Sequence, residues 1–184
     1  MKNQAFLLKF SIFSFVIVAI LGVLMRYKIA FSLPFVEQKH LQEAHSHFAF
    51  YGFITSCIYI LVAQYLSKTV EEIQMKKYQI LIGINFFASY GMLLSFLYAG
   101  YFWLSIIFST IALLNSFVYY FFLHRDLKNL QETSKIWFLA AFFFAVLSSL
   151  GVFTLSYMMS TKNVVQDLYL ASTYFYLHFQ YHGF

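Results

Sequence analysis

Long apolar stretches alternate with short polar connections along this chain, and the pattern predicts its architecture. A helix needs about 20 mostly apolar residues to cross the hydrocarbon core of a bilayer. Five stretches meet that requirement, at residues 5–25, 45–66, 78–98, 102–123 and 136–159. We therefore predict an all-α fold, a polytopic transmembrane helical bundle with five full spans.

A sixth apolar stretch, residues 168–184, ends at the last residue of the sequence. As a helix it covers about 25 Å of a hydrocarbon core roughly 30 Å thick. We predict a sixth span that is short or truncated. We interpret residues 1–184 as a single transmembrane domain that forms the N-terminal part of a longer chain, the alternative being a tilted final helix in a locally thinned bilayer.

The positions of the charged residues indicate where the spans are connected and on which side of the membrane each connection lies. Residues 78–123 contain no Asp, Glu, Lys or Arg, so the third and fourth spans must form a hairpin, with its turn near Ala99-Gly100-Tyr101. Basic residues favour short cytoplasmic loops. Eight of the twelve fall on one side: Lys2, Lys9, Lys68, Lys76, Lys77, Arg125, Lys128 and Lys135. Four fall on the other: Arg26, Lys28, Lys39 and Lys162. The N-terminus is therefore predicted to be cytoplasmic.

Composition narrows the class of protein further. The chain is 61% hydrophobic, 23% aromatic and only 10% charged, which is far from soluble globular usage. The lipid bilayer is therefore the first expected partner. The net charge of +5 reflects membrane topology, and no basic aromatic surface indicates nucleic-acid binding. The lone Cys57 can form no internal disulfide.

Two histidine clusters are the candidate chemistry. Ionisable side chains within spans are expensive and mark pathways or cofactors, and imidazole is a frequent metal ligand. His45 and His47 are about 200° apart around a helix, so one metal cannot easily take both. One is expected as an inward ligand and the other as an interfacial or supporting group. His45 shares its face with small residues that could leave room for a flat macrocycle: Ala49, Gly52 and Ser56.

The second cluster, His178 and His182, lies four residues apart on one predicted helix face, beside Tyr174 and Tyr181. That spacing lets two imidazoles meet one metal ion. It equally suits a pair of structural histidines hydrogen-bonded to carbonyls or hydroxyls. His40 and His124 are interpreted as residues at the membrane interface.

The pattern HxHxxxxG from His45 to Gly52, opening the second span, resembles the haem-bearing helix of haem-copper oxidase subunit I and its relatives, the nitric oxide reductases and NnrS-like proteins. The chain is also similar to a bacterial membrane family in which three segments recur in order: Leu24-Met-Arg26-Tyr-Lys28, His45-Ser-His47 and Leu177-His178-Phe-Gln-Tyr181.

The resemblance implies the N-terminal half of a respiratory membrane oxidoreductase in the bacterial inner membrane. It places a haem ligand on His45 or His47, with His45 preferred, and a copper ligand on His178 or His182. The His-Pro-Glu-Val-Tyr motif common in oxidases is absent. The remaining ligands of that superfamily lie on later helices, so oxygen-reducing chemistry would need further helices or a partner.

Three functions stay open at this point. The first is a haem-binding membrane redox protein. The second is a non-haem metal enzyme of the hydroxylase or desaturase type, with iron or copper. The third is a non-catalytic assembly or transport subunit, in which the histidines handle protons or hold helices together, with a further membrane subunit or self-association as the partner.

Overall fold

A computed structural model describes residues 2–70, 73–128, 133–161 and 163–184, without the side chains of 2–4, 159 and 160. The described residues form six helices: α1 Lys2–Ala30, α2 Gln38–Thr69, α3 Met75–Ala99, α4 Trp103–Asp126, α5 Ser134–Thr161 and α6 Gln166–His182. The predicted all-α fold is confirmed. Lys162, which entered the charge comparison, lies outside the described residues.

The five predicted spans correspond to five helices that are long and apolar enough to cross a membrane: Ala5–Ala30, Gln38–Thr69, Met75–Ala99, Trp103–Asp126 and Ser134–Met158. This is the composition of a multi-pass membrane protein in contact with a lipid bilayer. The sixth helix is short, as predicted, with 17 residues.

Helix α2 begins seven residues before the predicted span. The added segment is polar, but Leu41 and Ala44 are buried together with Phe48. Their spacing of three and four residues places them on one helix face. This apolar face stabilises a helical extension that a search for uniformly apolar sequence does not find.

The chain forms two compact units, Met1–Asn115 and Ser116–Phe184. The prediction of a single domain over residues 1–184 stays a prediction. In the first unit, α2 and α3 are the inner helices, because 56% of each apolar window is buried against 22% for α1.

The predicted hairpin between the third and fourth spans is confirmed. Helix α3 ends at Ala99 and α4 begins at Trp103. Gly100 between them has φ +61°, a conformation that L side chains rarely adopt. The turn is further fixed by the Ser105 hydroxyl, which donates to the Gly100 carbonyl at 2.9 Å.

The middle of α2, Phe48–Thr55, is a π-helix. Such segments are rare and usually short, because they loosen the regular hydrogen-bond ladder. Two of its carbonyls take hydrogen bonds from side chains. The Ser11 hydroxyl of α1 donates to the Phe53 carbonyl at 3.2 Å. The Asn85 amide of α3 donates to the Tyr51 carbonyl at 2.8 Å. Neighbouring helices thus stabilise an irregular backbone that lipid alone would not tolerate.

In the second unit, α5 and α6 pack as an antiparallel pair. The Ser148 hydroxyl lies 3.0 Å from Gln180 Oε1 and 2.6 Å from the Ala145 carbonyl oxygen of its own helix, and its single proton serves both acceptors. One turn further along α5, a Cβ atom on Gly151 would lie 2.5 Å from the Ser172 carbonyl oxygen. The two backbones therefore approach as closely as small residues permit.

Candidate functional site

His45 is held against α1. Its Nδ1 lies 3.1 Å from the Val18 carbonyl oxygen. Since a carbonyl can only accept, Nδ1 carries the proton and donates, and the lone pair of the neutral ring is then on Nε2. No described residue is hydrogen-bonded to Nε2. Gly22 makes this approach possible, because a Cβ atom there would already lie 3.3 Å from His45 Cε1.

His47 points to the other side of α2, as the 200° separation predicted. Its Nδ1 donates to the Glu43 carbonyl at 2.9 Å, one turn back on the same helix. Its Nε2 lies 3.1 Å from the Tyr101 hydroxyl, which must be the donor because Nδ1 already carries the ring proton. Both ring nitrogens of His47 are therefore engaged.

Aromatic rings enclose His47 as well. Its imidazole stacks on Phe96 with centroids 4.4 Å apart, and Tyr101 meets both rings edge to face, at 4.9 Å from Phe96 and 5.7 Å from His47. This cluster joins α2, the end of α3 and the hairpin turn. It is the arrangement expected of a residue that holds helices together.

The remaining polar groups of the α2 extension lie at the same turn. A Cβ atom on Gly100 would come within 2.4 Å of the His40 ring and 3.0 Å of Glu43 Oε2. His40 Nε2 is 3.2 Å from Glu37 Oε2, an ion pair when the imidazole is protonated. His40, Glu43 and His47, which are three and four residues apart and so lie on one helix face, are thus directed at the α3–α4 turn.

The small residues near His45 do not leave the space that the sequence predicted. A Cβ atom on Gly52 would lie 2.5 Å from the Phe48 ring, which is fully buried. Ser56 is also fully buried, and its hydroxyl donates to the Tyr51 carbonyl at 3.0 Å. The Phe48 ring, four residues earlier on α2, thus occupies the space beside Gly52 that was expected for a macrocycle, and haem binding itself stays a prediction.

His178 and His182 share one face of α6, as predicted, with ring centroids 5.0 Å apart and ring planes 28° from parallel. The His182 Nδ1 donates to the His178 carbonyl at 3.3 Å. Both rings are exposed. They turn away from α5 because Ser172 and Gln180 occupy the buried side of the helix.

Among the described residues, no three His, Cys, Asp or Glu side chains come together as a metal ion would require. A groove of about 480 Å³ lies in the first unit between α3 and α4. None of the four candidate histidines lines it. Its walls are mainly aromatic and apolar: Phe87, Tyr90, Gly91, Leu94, Ser95, Tyr98, Phe102, Leu104 and Phe108.

Sequence reasoning missed the partners that distinguish His45 from His47. Val18 and Gly22 carry no polar pattern, and their role comes from the packing of α1 against α2. Tyr101 was predicted only as part of the turn between the third and fourth spans. That position was the available signal, because His40, Glu43 and His47 are spaced three and four residues apart and lie on one face of a helix.

We compared the chain with protein-family models, curated proteins and solved structures. No protein-family model, no curated protein and no solved structure matches the chain. The likeness to haem-copper oxidase subunit I therefore stays a prediction from the HxHxxxxG pattern.

The two histidines of α2 differ in what they can do chemically. The Nδ1 proton of His45 is held by a backbone carbonyl, which is the usual support of a metal-ligating histidine. Before His47 could bind a metal through Nε2, it would have to lose its hydrogen bond from the Tyr101 hydroxyl. Of the two, His45 is therefore the residue that could hold a cofactor through Nε2, whereas both nitrogens of His47 are engaged in helix packing.

Proposed function

We propose that this chain is an integral membrane haem-binding protein in which the His45 imidazole would hold the haem. The observation that supports this most is the hydrogen bond from His45 Nδ1 to the Val18 carbonyl at 3.1 Å, which leaves the Nε2 lone pair available. Haem needs only one or two ligands from the protein, because the porphyrin provides the other four. One oriented imidazole is therefore a sufficient donor set.

The cellular role follows from the HxHxxxxG resemblance. We place the protein in the bacterial inner (cytoplasmic) membrane, with a cytoplasmic N-terminus, in respiratory electron transfer. Bound haem would supply one-electron redox chemistry. The chain's own part is to orient the imidazole through Val18 and Gly22 and to surround it with apolar helices. Oxidoreductase activity would need ligands from further helices, a partner subunit or self-association.

The pair His178 and His182 is the second part of the proposal. Two imidazoles on one exposed helix face can share a copper or iron ion once their side chains rotate, since ring planes stacked 5.0 Å apart do not direct both lone pairs at one point. The further ligands would come from outside the described residues. The exposure of both rings suits a site completed by another segment or subunit.

The test is to express the chain under haem-replete conditions and purify it in mild detergent. We expect a Soret band and a reduced-minus-oxidised difference spectrum, with haem and protein in a fixed ratio. Metal analysis of the same sample separates the two parts, because copper or non-porphyrin iron would report on His178 and His182. Protein that is folded by circular dichroism but carries no Soret absorbance contradicts the haem proposal.

A non-catalytic membrane subunit is the second candidate function, and the His47 cluster favours it. Both nitrogens of that ring and its stacking on Phe96 serve helix packing. If His45 has the same kind of role, its replacement by Asn, which can still donate to the Val18 carbonyl, should preserve stability. Under the haem proposal the same variant stays folded and loses the haem spectrum.

A further inference from the structure

A group of neutral polar side chains lies inside the first unit, where the π-helix of α2 meets α3. Asn85 is fully buried, and its Nδ2 donates to the Tyr51 carbonyl and to Ser56 Oγ, both at 2.8 Å. The Ser56 proton goes to the same Tyr51 carbonyl at 3.0 Å. These bonds fix the orientation of the amide, because a carbonyl can accept only from the NH₂ end. Asn85 Oδ1 must therefore face elsewhere.

Three buried oxygen atoms on α2, α3 and α4 have no hydrogen-bond partner among the described residues: Thr55 Oγ1, next in sequence to Ser56, Asn85 Oδ1 and Asn115 Oδ1. Their residues are 2%, 0% and 5% exposed. Asn115 repeats the arrangement of Asn85, since its Nδ2 donates to the Leu81 carbonyl at 3.1 Å. Leu81 and Asn85 are one turn apart on α3. The Asn115 side chain of α4 is therefore hydrogen-bonded to the turn of α3 that precedes Asn85.

Unpaired polar atoms in a helix core are costly, and the great majority in native proteins are hydrogen-bonded to protein or to ordered water. Thr55 offers a proton that lacks an acceptor, whereas the two amide oxygens lack a donor. A molecule that both accepts and donates can satisfy both needs. Water does so and typically makes about three hydrogen bonds in buried sites.

We propose that α2, α3 and α4 enclose a buried hydration site in which ordered water hydrogen-bonds Thr55, Asn85 and Asn115. A cation fits these groups less well. All three oxygens are neutral, and residues 78–123 contain no Asp or Glu to balance a charge in a low-dielectric interior. The Tyr51 carbonyl already takes two hydrogen bonds from side chains. This inference does not depend on haem binding.

Replacing Thr55 with Val tests the site, because the proposal and a dry core predict changes of opposite sign in the melting temperature. Valine keeps the shape of threonine and removes only the hydroxyl. If water bonds that hydroxyl, Thr55→Val lowers the melting temperature of the full chain in detergent, by about 2–4 °C. If the core is dry, the change removes an unpaired buried hydroxyl and the melting temperature rises, which overturns the proposal. Thr55→Ser, which keeps the hydroxyl, should retain more of the stability than Thr55→Val.

Thr110→Val is the matched control, because the exposed Thr110 hydroxyl is already bonded to the Ile106 carbonyl at 2.8 Å. It should change the melting temperature by less than Thr55→Val. Exchange of sodium for choline in the buffer should leave the wild-type melting temperature unchanged. A fall on sodium removal would assign the site to a cation and overturn the proposal.

Water-edited solid-state NMR in lipid bilayers gives a readout that needs no variant. Polarisation should pass from water to Asn85 and Asn115 faster than to Ser14. Ser14 is equally buried, but its hydroxyl donates to the Phe10 carbonyl and lies 3.0 Å from the Tyr90 hydroxyl. Equal transfer to the asparagines and to Ser14 would overturn the proposal.

Discussion

The close contact between α5 and α6 predicts that replacing glycine with alanine lowers the stability of the protein at one position and raises it at another. Gly151→Ala places a methyl group 2.5 Å from the Ser172 carbonyl oxygen and 3.1 Å from Tyr176 Cβ. The obstacle is backbone, so no side-chain rotation relieves it. An ordinary contact begins near 3.4 Å, and the helices must therefore separate by about 0.9 Å. Gly83→Ala is the matched control, because nothing lies within 4 Å of a Cβ atom at that position.

The magnitudes set the size of the expected difference. Alanine is favoured over glycine inside a helix by about 0.8–1.0 kcal/mol, and both variants gain this term. Overpacking a close contact costs about 1–3 kcal/mol. Gly83→Ala should therefore stabilise the protein, whereas Gly151→Ala should be about 1–3 kcal/mol less stable than Gly83→Ala.

Thermal unfolding in detergent, followed by circular dichroism, is the assay. A free-energy change of about 1 kcal/mol moves the melting temperature by about 2–4 °C for a chain of this size. The two variants should therefore differ by at least about 2 °C, with Gly151→Ala the lower. Equal melting temperatures, or a higher value for Gly151→Ala, would refute the close packing of α5 on α6.

Four further variants test three other contacts by the same melting experiment. Tyr101→Phe keeps the ring packing and removes the hydroxyl that donates to His47 Nε2 at 3.1 Å. The loss of this hydrogen bond should lower the stability by about 0.5–1.5 kcal/mol. An unchanged melting temperature would argue against the hydrogen bond. Ser148→Ala removes a hydroxyl that contacts both Gln180 Oε1 on α6 and the Ala145 carbonyl of its own helix and should cost about 1 kcal/mol. Ser149→Ala, whose hydroxyl donates to the Val146 carbonyl of its own helix, should cost less, and the reverse order would contradict the α5–α6 bond. Gly52→Ala brings a methyl group 2.5 Å from the buried Phe48 ring and should cost about 1–3 kcal/mol; a neutral effect would show that Phe48 can move aside and that space is available there.

The spans and the hairpin were predictable because they depend on local physics. About 20 apolar residues are needed to cross a bilayer whatever the rest of the chain does. The absence of charge over residues 78–123 left only Ala99-Gly100-Tyr101 for a turn, and Gly100 supplies the positive φ there. The opposite directions of His45 and His47 likewise follow from 3.6 residues per turn.

The details of the candidate site depend on contacts between distant residues. The π-helix at Phe48–Thr55 is stabilised by Ser11 and Asn85, and no pattern within α2 indicates it. The expectation of a macrocycle beside Gly52 considered only the small residues of that face and not the Phe48 ring, which lies over Gly52. His45 is hydrogen-bonded to the carbonyl of Val18, which is 27 residues away in sequence. This contact forms only when α1 and α2 pack together.

Ligation of haem by His45 is the central claim, and imidazole rescue of His45→Ala tests it most directly. The variant removes the ligand and opens a space in which free imidazole can replace it. We expect His45→Ala to lose the reduced-minus-oxidised difference spectrum and to regain part of it when imidazole is added. His124→Ala, at the exposed end of α4, should keep the wild-type spectrum. An unchanged haem spectrum in folded His45→Ala would contradict the claim.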